Sequence, residues 1–241
     1  MNGLPGTVRV LVLRGDGPSF SAGLDRRMMT PAGIPGAPTL AELAMLPPEQ
    51  ASDRIAGFQE AFGLFARPNV VSVALVQGHA VGAGFQLALG CDVRIAADDA
   101  QFTMAEVNLG LVPDLGGTKR LVELVGYSRA AMICLTGSRV GAAEAERIGL
   151  VSAVVPATDL AAAGEQFVNR ILSLPREAVT EIKALLLPAS GRTQAEQERA
   201  EREAQHRQLR LLARLVAEDP APGTAAVPDE PSGTGRIAAD G

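Results

Sequence analysis

Two carboxylates, Glu106 and Asp114, bracket an apolar run from Val107 to Pro113. An acid among apolar neighbours loses solvation, and its pKa rises towards that of a useful proton shuttle. Spacing alone leans to a plainer reading, in which Glu106 caps a helix and Asp114 holds a turn before Gly116. The second chemical feature is the small-residue cluster Gly82-Ala83-Gly84, within the stretch Gly78 to Asp92. Val70 to Val76, just before it, is a β-branched apolar run that reads as a buried strand, and Phe85 to Leu89 reads as the first turns of a helix. A strand, a tight turn and a helix N-terminus aim unpaired N–H groups at one point. Such a point binds a phosphate or holds negative charge developing on an oxygen.

Several rival uses of these residues fail on pattern. A dinucleotide-binding turn needs Gly or Ala where Leu87 stands, and no Gly-Lys-Ser/Thr follows to make a P-loop. His79, His206, Cys91 and Cys134 show no metal-ligand spacing, so no metal is expected and structural roles are assigned to all four. Ser19 and Ser21 have no evident partner His, which argues against a hydrolase.

The elements that would position these groups alternate. Val8 to Leu13 reads as a buried parallel strand, followed by a Gly/Pro loop and the small-residue turn Ser19 to Asp25. Residues 26–50, rich in Pro, Gly and Met, read as a loop or flap. Ser52 to Ala66 reads as a helix whose Ile55, Phe58, Phe62 and Phe65 share a face. Beyond the central stretch come strands at Val93 to Ala97 and Val151 to Val155, with helices at Thr118 to Val125, Ala130 to Leu135 and Ala142 to Ile148. From Leu160 the pattern is helical, over 160–173, 176–187 and Thr193 to Ala217. In the last of these, Leu209, Leu212 and Val216 form a stripe suited to a neighbouring subunit or to its own core. The Pro/Gly/Ala-rich tail, 219–241, reads as disordered. Strands alternating with helices and then helices alone indicate an α/β core with a helical C-terminal region.

Bulk composition narrows the classes. The 241 residues are 47% hydrophobic with no Trp, so a large core can form from Ala, Val and Leu. A net charge of −5 argues against a nucleic-acid surface. There is no membrane-length apolar run and no signal-peptide pattern, and two cysteines in apolar segments suit a reducing, cytoplasmic setting.

Three segments, in order and in register, resemble the enoyl-CoA hydratase/isomerase (crotonase) family: Phe20-Ser21-Ala22-Gly23-Leu24-Asp25, Gly78 to Ala88, and Gly110 to Leu121. The likeness runs over about 7–210 and includes Thr136-Gly137 and Ala142 to Pro156. It implies an α/β spiral of ββα turns with C-terminal helices: a core over 1–155, a helical region over 156–218, then the tail. It also implies an acyl-CoA substrate, no separate cofactor, and a homotrimer or dimer of trimers. The backbone N–H groups of Ala22 and Ala83 would form an oxyanion hole for the thioester carbonyl, with Ser21, Gly23, Leu24, Asp25, Gly82 and Gln86 lining the substrate or CoA site.

Departures from the family pattern shape the expected reaction. The hydratases use two glutamates; Glu106 matches the second, but Gln86 stands at the first and cannot take up and return a proton at neutral pH. Asp114 stands where some isomerases of the family carry an acid. The expectation is therefore a double-bond shift in an enoyl-CoA, with Glu106 as shuttle and Asp114 as partner, and hydration as the alternative. Family members also place a strand pair and a helix before the segment matching Val8 to Leu13. A shortened spiral core, and with Gln86 a catalytically impaired, oligomer-forming relative, is the further alternative.

Overall fold

Four apolar runs build the main sheet of the computed structural model, which describes residues 5–218. The predicted tail lies outside the described residues. Strands β1 (Val10–Arg14), β2 (Val71–Val76), β4 (Val93–Ala97) and β7 (Ala153–Val155) are all parallel, in the order β1-β2-β4-β7. β2 and β4 are the interior strands, and in β2 Val73, Ala74 and Val76 are wholly buried. Three very short strands, β3 (His79–Val81), β5 (Gln101–Thr103) and β6 (Arg139–Gly141), make a second sheet, parallel between β3 and β5 and antiparallel between β5 and β6. A single bridge from Ser21 to Ala80 ties the small-residue turn after β1 to the edge of this second sheet.

The core lies between the sheets and helices α3 (Ala83–Gly90), α4 (Gly117–Val125), α5 (Tyr127–Thr136) and α6 (Ala142–Arg147). At its centre the rings of Phe85 and Phe102, both fully buried, sit 5.3 Å apart and tilted by 53°, an arrangement favourable for aromatic pairs. The other face of the main sheet is covered by α7 (Leu160–Leu172), where Leu160, Ala163 and Phe167 pack with Val73, Leu75 and Ile95. Gly164 permits this approach, since a β-carbon there would fall 2.5 Å from Leu75 Cδ1. Helix α8 (Arg176–Leu186) is fastened by Lys183, whose ammonium donates to Phe65 O, Val70 O and the Asp92 carboxylate at 3.0, 2.5 and 2.7 Å. Ser72 N and Oγ donate to the same Asp92 oxygen, so this buried charge pair leaves no donor of Lys183 idle.

Several expectations need correction. The strand at Val8 to Leu13 is parallel but not buried: β1 is an edge strand with Val12 46% exposed. Residues 26–50 are not one loop. They hold a 3-10 turn (Arg26–Met29), a short helix α1 (Leu40–Met45) opened by a Thr39–Glu42 capping box, and the first turn of α2 (Pro48–Gly63). α2 starts earlier than Ser52 because Pro48 takes the first helical position, where a missing N–H costs nothing. The proposed shared face of Ile55, Phe58, Phe62 and Phe65 is not buried as a stripe; no residue of α2 is buried. Likewise α5 opens at Tyr127, directly after Gly126 at φ +78°, rather than at Ala130. The last helix, α9 (Gln194–Glu218), begins at a reciprocal Thr193–Glu196 cap, and its Leu209, Leu212 and Val216 do not pack into the chain's own core but are exposed.

Candidate active site

The site forms where the two small-residue turns meet. β2 ends at Val76, Gly78 turns the chain at φ +55°, and β3 leads to Gly82, which turns it again at φ +52° into α3. Gly82 N donates to Thr103 O, which fixes the turn to β5, while Ala83 is the first residue of α3. Its N–H points off the helix end and, among the described residues, donates to no protein acceptor. The Ser21 to Gly23 segment lies directly against this turn. Ser21 N donates to His79 O and Val81 N to Ser21 O, and the N–H of Ala22 between them has no protein acceptor among the described residues.

Two glycines allow the contact. A β-carbon on Gly84 would fall 2.4 Å from Ser21 Cβ, and one on Gly23, at φ +86°, would meet Val81 O and lie 3.6 Å from Ala83 N. Two unused donors on adjacent backbone turns are what a carbonyl oxygen gaining charge requires.

The other end of α3 is neutralised by two arginines. Arg94 donates to Cys91 O at 2.7 Å and Ala88 O at 3.4 Å, while Arg120 donates to Leu89 O and Gly90 O at 3.2 and 2.8 Å. Cations on the C-terminal carbonyls complement the helix dipole, whose positive end faces the site.

Glu106 opens the 3-10 turn Glu106–Leu109 that follows β5, so it caps no helix with its side chain. Its carboxylate sits over Gly82, where a β-carbon would lie 3.2 Å from Oε1 and 3.5 Å from Oε2. Oε1 accepts from Gln86 Nε2 at 2.7 Å, and Oε2 is buried with no partner among the described residues. Gln86, 1% exposed, points from α3 into the same space, and its own Oε1 accepts from Leu115 N at 2.9 Å and Gly117 N at 3.3 Å. The orientation of this amide is fixed on both sides, by an acceptor at one end and two donors at the other.

Asp114 lies one residue before this anchored loop and is half-buried, so desolvation raises its pKa from the ordinary carboxylate value. Its backbone carbonyl accepts from Gln59 Nε2 of α2 at 2.7 Å. The apolar run between the acids faces solvent: Val107, Leu109, Leu111 and Val112 are all exposed. The acids are held instead by the Gln86 bonds and the turn at Gly110, φ +69°.

Asp25 is exposed and occupied locally. It caps the 3-10 turn by accepting from Arg27 N and pairs with the Arg27 guanidinium, which holds its carboxyl down at about 2. Leu24 and Ser21 are half-buried, and Ser21 Oγ accepts from Gly23 N at 3.2 Å. Sequence reading did not foresee the backbone donors of Leu115 and Gly117; the paired glycines Gly116-Gly117 were the available signal, since a β-carbon at Gly117 would strike Gln86 Cγ at 2.7 Å. An open depression of about 430 Å³, lined by Gly36, Pro38, Glu42, Leu46 and Arg54, lies between α1 and α2 and includes none of these site residues. Among the described residues no helix is long and apolar enough to cross a membrane.

Fold and site together describe an α/β protein in which two backbone N–H groups without a protein acceptor among the described residues lie beside a half-buried carboxylate. The chain belongs to the enoyl-CoA hydratase/isomerase family, whose model matches residues 5–211. It is similar to a Thermobifida fusca protein assigned as an enoyl-CoA hydratase and crystallised with CoA, at TM-score 0.82 and 46% identity, over 88% of this chain and 80% of that one. Crotonyl-CoA hydratase of Syntrophomonas wolfei is 37% identical over 178 residues, 73% of this chain and 63% of that protein. The Mycobacterium tuberculosis protein named "Probable enoyl-CoA hydratase echA8" is 38% identical over 153 residues, 64% of this chain and 53% of that protein. The chain thus spans little more than half the length of these curated relatives. Their names are those of hydratases, and lend nothing to the expected preference for a double-bond shift.

Proposed function

We propose that this chain acts on enoyl-CoA thioesters. The N–H groups of Ala22 and Ala83 hold the thioester oxygen as an enolate forms, and Glu106 carries the proton. The observation that carries this reading is the buried, partnerless Oε2 of Glu106, set over the turn that ends in the free Ala83 N–H. Ser21, Gly23, Leu24, Asp25 and Gly82 shape the turns beside the thioester, and Asp114 is the second acid near it. No separate cofactor enters this chemistry.

The relatives' names favour water addition to a 2-enoyl-CoA. Glu106 can serve it alone: Oε2 takes a proton from water as the water oxygen bonds Cβ, and returns that proton to Cα as the enolate collapses. A specific observation favours the second reading, a double-bond shift. Gln86 is locked as an amide, so a second carboxyl to handle water is missing at that position. In the shift, Glu106 removes a Cα proton from a 3-enoyl-CoA and delivers a proton at Cγ, and no water is consumed.

Parallel assays of crotonyl-CoA hydration and 3-hexenoyl-CoA isomerisation on the purified protein decide between them. Binding of acetoacetyl-CoA, seen as thermal stabilisation, with turnover of neither ester would place the chain among non-catalytic relatives. A cytoplasmic setting is proposed from the two free cysteines. Self-association of the chain, as a trimer or dimer of trimers, is proposed through the exposed apolar surface beside Glu106.

A further inference from the structure

Gln86 is the most buried polar side chain at the site, and its amide is used at both ends. Its Nε2 holds Glu106 Oε1; its Oε1 holds the backbone of the loop that carries Asp114 into α4. A carboxylate at this position could keep the loop, because it too accepts from Leu115 N and Gly117 N. It could not keep Glu106, because two carboxylate oxygens at 2.7 Å repel unless one is protonated. The amide therefore does something a second acid cannot: it gives Glu106 one held oxygen and one free oxygen, both at a defined place over Gly82.

We propose that Gln86 is a positioning residue that fixes the orientation of the Glu106 carboxylate and ties it to the loop bearing Asp114. This rests on the enolate reading above, and deepens it. Glu106 is a side chain on a short 3-10 turn with exposed neighbours, and nothing else among the described residues hydrogen-bonds its carboxylate. Released from Gln86, the carboxylate can rotate about its side-chain bonds, and a small displacement of a proton-transferring group is costly. Gly117 belongs to the same device, since the stem of Gln86 fills the space its missing β-carbon leaves.

The test compares Gln86→Met, Gln86→Glu and Glu106→Gln in the full chain, by steady-state kinetics on crotonyl-CoA and 3-hexenoyl-CoA and by thermal unfolding. Gln86→Met keeps volume and loses both bonds; kcat is expected to fall about 10- to 100-fold with KM changed far less. Gln86→Glu keeps the loop bonds but replaces the hold on Glu106 by repulsion, so its Tm is expected below wild type while kcat falls similarly. That pairing keeps the inference testable even if Gln86→Met unfolds. Wild-type kcat in Gln86→Glu would overturn it, and so would faster hydration than wild type, because the position would then be a vacant acid site. Failures separate cleanly. If Glu106→Gln abolishes turnover while the Gln86 variants are silent, only the positioning role falls; if Glu106→Gln is fully active, the enolate reading falls and takes the positioning role with it.

Discussion

Glu106 and Asp114 sit close in the chain but differ in what the fold does to them. Glu106 has one oxygen tied to Gln86 and one left bare in the interior. An unpaired buried acceptor normally costs stability, about 1–3 kcal/mol, so its retention suits a group that finds its partner in the substrate. Glu106→Gln preserves shape and the bond from Gln86 but cannot carry a proton; kcat is expected to drop by about 10²–10⁴, with Tm held or raised. Asp114 has lost part of its solvation without gaining a cation, which is why its pKa is raised. The folded state therefore binds the proton more tightly than the unfolded chain does. That contribution is fully present below the ordinary Asp value of 3.8 and is lost as pH rises through the raised folded value. Asp114→Asn is accordingly expected to raise Tm at neutral pH, by about 1–2 °C because the group remains partly solvated, and to match wild type near pH 3. Equal shifts at both pH values, in thermal scans, would contradict this.

Helix α3 is the element that turns packing into chemistry. Its C-terminal carbonyls are consumed by Arg94 and Arg120, its side chains fill the core, and its first N–H meets no protein acceptor among the described residues. The placement of Ala22 beside it depends on Gly84, so Gly84→Ala must push Ser21 away and spread the two donors. About a 100-fold loss of kcat is expected, the scale of losing one oxyanion donor. Gly57→Ala, in open space on α2, is the matched control and should raise stability by about 0.5–1 kcal/mol with activity unchanged.

Elements long enough to carry their own period were legible in the sequence: β2, the helix after Gly82 and the three C-terminal helices all lie within a few residues of their expected places. The three-residue strands β3, β5 and β6 were not, because so short a run has no period and, unlike β7 within Val151 to Val155, none lies in an apolar run; only pairing across the second sheet makes them strands. β1 was misread as buried because composition reports a strand's apolar content but not its place at a sheet edge. At the site, residue types pointed to the acids, but the hold of Gln86 on both Glu106 and the 115–117 backbone is a tertiary fact that no spacing encodes.

At the scale of the whole molecule, the feature left unexplained by the monomer is apolar surface next to the site. Met132 and Leu135, on one face of α5, are 63% and 73% exposed, and Val112 is 72% exposed. Met132 and Leu135 belong to the helix that packs on the turn carrying Glu106, where a β-carbon at Gly137 would lie 3.2 Å from Val107 Cγ1. Single exposed apolar residues are ordinary, whereas several on elements packed together are what a protein–protein contact surface presents. A second copy of the chain covering Val107 would also restrain the turn from which Glu106 projects, so assembly and catalysis should fail together. Replacing Met132 and Leu135 by Glu places like charges across any such contact while leaving the buried face of α5, Ala130 and Ile133, intact. Sedimentation velocity is expected to show wild type as an oligomer and the double variant as a folded monomer. Its kcat should be reduced although every group at the site is unchanged. A wild-type chain that sediments as a monomer, or a monomeric variant with full activity, would separate the apolar surface from the reaction.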